Sequence, residues 1–591
     1  MKKTSIIIAF ALLGLTACDL LDKEPLSDLS PDSYFRTEQE LQLFSNTFYN
    51  SLLDKTPYRN QSDQYIEYNL SDLLRGGTSR TVPASGGGWS FTALRKINTM
   101  LGHLDNCEDE AVRAEYEGLG RFFRAYFYAE KVKRFGDVPW IEEELSSDSE
   151  QLYASRDSRE YVMTKIIEDL DCAISQLPAD NTPYRVGRYT ALALKSNICL
   201  FEGTYRKYHN VSYEEHDHAY YLDLAAKAAK EVMDSGRYSL YSTGNPSSDY
   251  MMGFVQEATD NDEYIFAINF DEALSFYHNA TWYGIEKSSG RVGMTKKIVD
   301  SYLMADGTRF TDKEGWETML FAEQTAGRDP RLAQSIRTPG YKRIGSAEVA
   351  LPDFACSITG YQTIKHVQEY GSTAEGYEKS WCDLPVYRLA EMYLNYAEAL
   401  AELGTLEQSD LDISVNKLRD RVGMVHLDMD EANANPCWYM KSETYGYRNV
   451  PAGGNEGVIL EIRRERTIEL CQEGTRRWYD LMRWKEGKCV EQPMHGMYFP
   501  GLGDYDLDGD GKADICLYEG DKPADSKATF FKAVGSDIML TEGTSGYVNP
   551  IDGTGITHVF DEGRDYLYPV PSDEQSLNPN LTQNPGWPSV N

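Results

Sequence analysis

The chain has 591 residues, with 59 Lys and Arg against 93 Asp and Glu, a net charge of −34. Hydrophobic residues make up 41% and charged residues 26%, which excludes a disordered or collagen-like chain and leaves ample length for a core. The acidic balance, with no basic tract to offset it, excludes nucleic acid as a partner and docking on anionic lipid through basic residues.

The N-terminus reads as an address. Lys2 and Lys3 precede an apolar run, Ile6–Leu15, that is too short to span a bilayer. Leu15-Thr16-Ala17-Cys18 follows and resembles a bacterial lipobox. By that resemblance residues 1–17 are a signal peptide and Cys18 is the lipidated N-terminus. Residues 18–32, polar with Pro25 and Pro31, read as a tether, and 33–591 as the body. An ordinary signal peptide with a chance Cys is the other reading.

Helical periodicity dominates residues 33–236. Leu119, Phe122, Phe123, Tyr126 and Phe127 share one helix face, with Arg121, Arg124 and Lys131 off that stripe, and Gly136-Asp-Val-Pro139 ends the helix. Further helices are predicted over 161–176, 190–205 and 222–234. Such alternation suggests divergent tetratricopeptide-like helical hairpins, although no clean 34-residue repeat is visible. Residues 237–383 are loop-rich, with a strand at Glu263–Phe270. Helices return within 384–487, over 387–403, 411–422 and 458–470, and 488–591 reads as loops, turns and short strands. The predicted fold class is therefore mostly α, with irregular loops and short strands carrying the ligand site.

Nine cysteines follow Cys18, none in a Cys-x-x-Cys arrangement, which argues against a zinc site. There is no Gly-x-Ser-x-Gly elbow, phosphate-binding loop or His-Glu-x-x-His motif. The charges at Arg388, Glu391, Glu398, Glu465, Arg466 and Glu469 stand at helical spacing near apolar stripes and read as ion pairs between packed helices. Glu214-Glu-His-Asp-His218, with His209, reads as a polar connector rather than a metal site.

Residues 504–514 carry acids at alternate positions: Asp504, Asp506, Asp508, Asp510 and Asp514. Such spacing directs several carboxylates into one loop and suits Ca²⁺, which takes six to eight oxygens. Counting from Asp506 places acids at loop positions 1, 3, 5 and 9, Gly511 at 6 and the Lys512 carbonyl at 7; Asp504 is an outer or alternative ligand. No Glu closes the loop at position 12, and a solvated acidic turn is the competing reading.

Several segments together resemble the SusD/RagB nutrient-binding lipoproteins of Bacteroidetes. They are Cys18-Asp-Leu-Leu-Asp-Lys-Glu-Pro25, Phe122-Phe-Arg-Ala-Tyr-Phe-Tyr128, Arg134-Phe-Gly-Asp-Val-Pro139 and Gly187-Arg-Tyr-Thr-Ala-Leu-Ala-Leu-Lys195. Arg328-Asp-Pro-Arg-Leu332, Arg388-Leu-Ala-Glu-Met-Tyr-Leu-Asn-Tyr-Ala-Glu-Ala399 and Glu465-Arg-Thr-Ile-Glu-Leu470 follow, then Asp480-Leu-Met-Arg-Trp484. Leu567-Tyr-Pro-Val-Pro571 and Leu577–Trp587 complete the series. In Thr475-Arg-Arg-Trp-Tyr-Asp480, either Arg476 or Arg477 fills the place where the family has one basic residue. An acid directly after the lipidated Cys, here Asp19, retains lipoproteins at the inner membrane in some bacteria; in this family it accompanies export to the surface.

The resemblance implies a non-catalytic lipoprotein on the outer membrane, at the cell surface. It would capture an oligosaccharide and pass it to a SusC-like TonB-dependent transporter. A peptide ligand, as in some family members, and a surface glycan hydrolase are the alternatives. Sugars stack on aromatic faces and bond to Asp, Asn and Arg, so contact residues should lie on loops. Asp72, Arg75 and Trp89 fall in one such region, whose placement resembles the family's Trp-bearing part. Trp282 and Tyr283 form a second candidate and Trp381 a third, whereas Trp478 and Trp484 read as core.

Overall fold

The Thr37 hydroxyl accepts the Glu40 backbone N–H, and the Glu40 carboxylate accepts the Thr37 N–H in return. This reciprocal cap opens the first long helix, α1 (Glu38–Leu52). The computed structural model describes residues 31–551 and 556–590, so the expected signal peptide, Cys18 and the expected tether up to residue 30 lie outside the described residues. Next come α2 (Thr92–Gly102) and α3 (Glu110–Phe135). Asp109 caps α3 through the backbone N–H groups of Ala111 and Val112, and Gly136, at φ 73°, ends it. Helices α4 (Arg159–Gln176), α5 (Arg188–His209) and α6 (His218–Asp234) complete the N-terminal array.

These helices pack in sequence, α3 on α4, α4 on α5 and α5 on α6, as tetratricopeptide-like hairpins. The predicted stripe of α3 is buried except for the half-buried Tyr126, and so are the off-stripe residues Arg124 and Lys131. The reason is that α3 is covered on more than one side: Arg124 makes two 2.7 Å hydrogen bonds to Asp169 of α4, and Lys131 is covered by the Gly86–Ser90 loop.

The expected strand in the loop-rich middle is β1 (Tyr264–Ile268), which pairs antiparallel with β2 (Leu384–Arg388). β2 leads straight into α7 (Leu389–Leu403), which packs on α6 and on α8 (Glu456–Glu469). The helix expected over 411–422 is two, Gln408–Asp412 and Val415–Arg421, because Ser414 leaves helical geometry and its hydroxyl bonds back to the Asp410 carbonyl. α9 (Arg476–Arg483) packs on α5. The C-terminal part holds a three-stranded sheet, β3 (Gly503–Tyr505), β4 (Ile515–Tyr518) and β5 (Phe530–Ala533), antiparallel then parallel.

Helix α8 is unusual in being buried all round while carrying Glu461, Arg463, Arg464, Glu465, Arg466 and Glu469. Buried charges must be paired. Arg388 bonds to Glu263, Glu469 and Glu473 at 2.6–2.8 Å, and Arg421 reaches Glu469 at 2.6 Å and Glu263 at 3.2 Å. Arg331 holds Asp329, Glu465 and Glu469, and Lys365 holds Glu473. A second group joins Arg466 to Asp480 and Arg483 to Glu398 and Asp480. The charges read from sequence as interhelical ion pairs are such pairs. Both candidate arginines are engaged: Arg476 pairs with Glu391, and Arg477 grips Asp63 with two 2.7 Å bonds.

The C-terminal segment returns to the N-terminal helices. The Tyr568 N–H donates to the Arg134 carbonyl (2.8 Å), and the Asn584 amide donates to the Phe135 carbonyl (3.0 Å). Val570 and Leu581 enter the same core as Phe122 and Phe123.

Candidate functional site

Two loops meet beside β1 and β2. The first turns tightly where Asp271 and Phe276 exchange two 3.0 Å backbone hydrogen bonds, and Leu274 stands 76% exposed at its tip. His278 and Ser380 then exchange backbone bonds of 2.9 and 3.0 Å, tying this loop to the second, which runs from Tyr370 to Trp381. The His278 ring fixes the crossing. Its Nδ1 accepts the Ala280 N–H (3.1 Å), so its Nε2–H donates to the Cys382 carbonyl (2.8 Å). Burial pushes this imidazole down to about 4, so it is neutral and structural.

The short helix Ala280–Ile285 carries Trp282 and Tyr283 in divergent directions. Trp282 is half-buried and meets the exposed Tyr377 edge to face, with ring centroids 5.2 Å apart. Phe276 is exposed and stacks on the buried Phe270 at 4.9 Å. Tyr277 lies under the Lys379 ammonium (4.6 Å). Trp381 is half-buried, its N–H held by the Gln368 side chain at 3.0 Å. Tyr370 is exposed beside Arg343. Glu272, Thr373, Asn279 and Glu378 supply polar groups between these rings. The result is a rim of partly exposed aromatic rings on a rigid base, chemistry that suits the C–H faces and hydroxyls of a sugar. The Trp282 and Trp381 regions, separate candidates in the sequence, are thus joined. Tyr370 and Tyr377 were missed; their signal was the Gly- and Ser-rich run from Gly371 to Gly376.

Tyr283 and Trp89, expected as exposed contacts, are corrected by the structure. Tyr283 is buried against Tyr58 and Arg59, facing away from the rim. Trp89 is 5% exposed and packs edge-on against Phe135 at 4.8 Å, so it is a core residue. Gly86, Gly87 and Gly88 all have positive φ and turn the chain so that Trp89 inserts beneath α3. Asp72 and Arg75 lie on a short helix whose Leu74 packs in a different cluster, with Trp478 and Phe560. No hydrogen bond, ion pair or ring contact among the described residues joins Asp72 or Arg75 to Trp282 or Trp381. Trp478 and Trp484 are core, as expected.

Comparison with known proteins then decides the family. The model of the SusD family matches residues 251–587, and a second, described as starch-binding associating with outer membrane, matches 34–209. The chain belongs to the SusD family. SusD-like protein P2 of Formosa agariphila is 25% identical over 521 residues, covering 83% of this chain and 93% of that protein. A SusD-like protein of Bacteroides fragilis superposes with a TM-score of 0.68 at 23% identity, covering 96% of this chain and all of the other. A SusD-like carbohydrate binding protein of the same species gives 0.65 at 21% identity, covering 93% and 99%. These structural likenesses establish the fold.

In this SusD-family chain the acidic loop is a β-hairpin connection between β3 and β4, without flanking helices. Carboxylate oxygens of Asp506, Asp508 and Asp514 lie within 4.8 Å of one another. Burial and the two neighbouring charges push the Asp514 carboxyl up. Asp504 points elsewhere, accepting from Ser526 at 2.7 Å, and Asp510 is paired with Lys512 at 2.6 Å. The carboxylates that cluster are thus three acids of the count that starts at Asp506, with Asp504 outside the group and Asp510 turned to Lys512. In the polar connector, His216 bonds to Glu160 (3.0 Å) beside Glu215, while His209 faces the Met482 carbonyl. Glu160 is already paired with Arg206 at 2.6 Å, which gives that group an ion-pair role. The nine cysteines from Cys107 to Cys516 are all free thiols, and all but Cys172 are buried.

Proposed function

We propose that this protein captures a glycan at the outer face of the outer membrane and delivers it to a SusC-like TonB-dependent transporter. The observation that carries this reading is the aromatic rim of Phe276, Tyr277, Trp282, Tyr377 and Trp381 on two bonded loops. Family membership supports it, as does the carbohydrate-binding description of the Bacteroides fragilis relative. Lipidation of Cys18 would hold the body at the membrane, two or more acyl chains giving a stable anchor. A Ca²⁺ ion held by Asp506, Asp508 and Asp514, with Asp510 and the Lys512 carbonyl completing the shell, would order the hairpin without taking part in capture.

The test is a glycan and peptide array probed with the mature protein, followed by incubation with each bound polysaccharide. Glycan binding without product release supports capture. Peptide binding alone would replace the glycan reading, and product release would replace capture with hydrolysis.

A further inference from the structure

The last turns of α3 carry three cations, Lys131, Lys133 and Arg134. Lys133 is neutralised by Glu130 at 2.8 Å. Lys131 and Arg134 have no carboxylate partner among the described residues. Lys131 is 6% exposed. It donates to the carbonyls of Gly88 and Ser90, and Phe127, Phe91 and Phe135 surround it at 4.7, 5.0 and 5.9 Å. Carbonyl dipoles and ring faces tolerate a cation but do not cancel its charge.

Arg134 is less satisfied still. Its guanidinium lies 3.9 Å over the Tyr568 ring. Gly88 closes its other side, and a Cβ there would stand 2.7 Å from Nε. No hydrogen bond among the described residues satisfies the guanidinium, and Nε is buried without a partner. The contrast with Arg388, Arg421 and Arg331 is plain, since each of those is matched by two or more carboxylates. Lys131 and Arg134 share a cleft of about 290 Å³ with Ser51, Ser90, Tyr126, Tyr479 and Glu130, between α1, α3, α9 and the Gly86–Ser90 loop; the Glu130 carboxylate is taken up by Lys133, so two unpaired cations face the cleft. A positive cleft in a chain of net charge −34 is a local exception.

We propose that this cleft binds a small oxyanion, a carboxylate or sulfate group, with the Arg134 fork as its bidentate donor and Lys131 as the second charge. Guanidinium–carboxylate pairs are frequently bidentate and charge-assisted. Burial and the Arg134 charge push the Lys131 ammonium down to about 7, so an anion relieves an electrostatic load already present. The oxyanion belongs either to an acidic sugar or to a free inorganic anion. None of the rim residues lines this cleft.

Calorimetric titration of the mature protein with glucuronate, glucose 6-sulfate, inorganic sulfate and, as neutral control, glucose tests this at ionic strength held constant with chloride. We expect at least one anion to bind, and Arg134→Gln to weaken it tenfold or more with little change in melting temperature, because this guanidinium makes no internal hydrogen bond. Should Arg134→Gln fail to fold, Arg134→Lys, which keeps the charge and removes the fork, is expected to weaken binding several-fold. Binding by the acidic sugars but not by sulfate assigns the site to a glycan residue; binding by sulfate alone assigns it to a free anion. No anion binding above the chloride control, or binding unchanged in the folded Arg134 variant, overturns the proposal.

Discussion

Trp282 and Tyr377 meet edge to face, 5.2 Å between centroids, from two loops far apart in the sequence. What joins them is not the rings but the backbone pair His278–Ser380 beneath them. The rim is therefore preorganised by main-chain bonds and a neutral buried histidine, which lowers the ordering cost of binding.

This arrangement separates contact from stability. Trp282→Ala and Trp381→Ala are each expected to weaken glycan binding tenfold or more, about 1.4 kcal/mol or above, with little change in melting temperature. Trp89→Ala should do the reverse, costing about 3–5 kcal/mol of stability as a core truncation. Paired titration and thermal melts of the three variants check this. Unchanged affinity in both rim variants would place the ligand elsewhere.

Cys18→Ala is expected to move the protein from the membrane fraction to the soluble fraction. Fractionation with immunodetection measures this, and retention equal to wild type would remove the anchor reading.

For the hairpin loop, calcium at a hundredfold excess over Kd should add about 2.7 kcal/mol of stability by mass action. Asp506→Asn and Asp514→Asn should abolish that increment, whereas Asp504→Asn, which bonds to Ser526, should keep it. Melting curves with calcium and with chelator decide the matter; identical curves would count against the site.

The buried ion pairs set the acid limit. Arg388 and Lys365 hold the Glu473 carboxyl down to about 2, and the arginines around Glu469 hold it lower than usual as well. The unfolded carboxylates titrate near the ordinary glutamate value of about 4.3. The stabilisation is therefore complete above that pH and is lost as pH falls from about 4.3 towards 2. Urea midpoints should be flat near neutrality and fall through this window. Arg388→Met, which takes one partner from each of three buried carboxylates and leaves them only Arg421, Arg331 and Lys365, should cost about 3–5 kcal/mol at pH 7.

The helical scaffold was legible because its stripes, caps and stops recur at helical spacing. The site was only half legible. A six-residue helix has no periodicity to separate Trp282 from Tyr283, so an exposed ring and a core ring looked alike. The glycines before Trp89 looked like a loop opened for a ligand, yet their positive φ serves a turn that buries the tryptophan. At residues 504–514 the aspartate spacing anticipated which carboxylates would cluster, Asp506, Asp508 and Asp514. The strands on either side, three and four residues long, gave too little alternation to reveal a hairpin.

The return of Tyr568 and Asn584 to the end of α3 bears on how the chain is made. Until residues 568–584 are in place, the Arg134 carbonyl lacks its Tyr568 partner, the Phe135 carbonyl keeps only its bond from Arg156, and one wall of the N-terminal core stays open. Completion of that core thus waits for residues 568–584, and contacts of such long sequence separation form slowly. For the same reason, trimming the C-terminus removes a closing part of the N-terminal core rather than a loose tail.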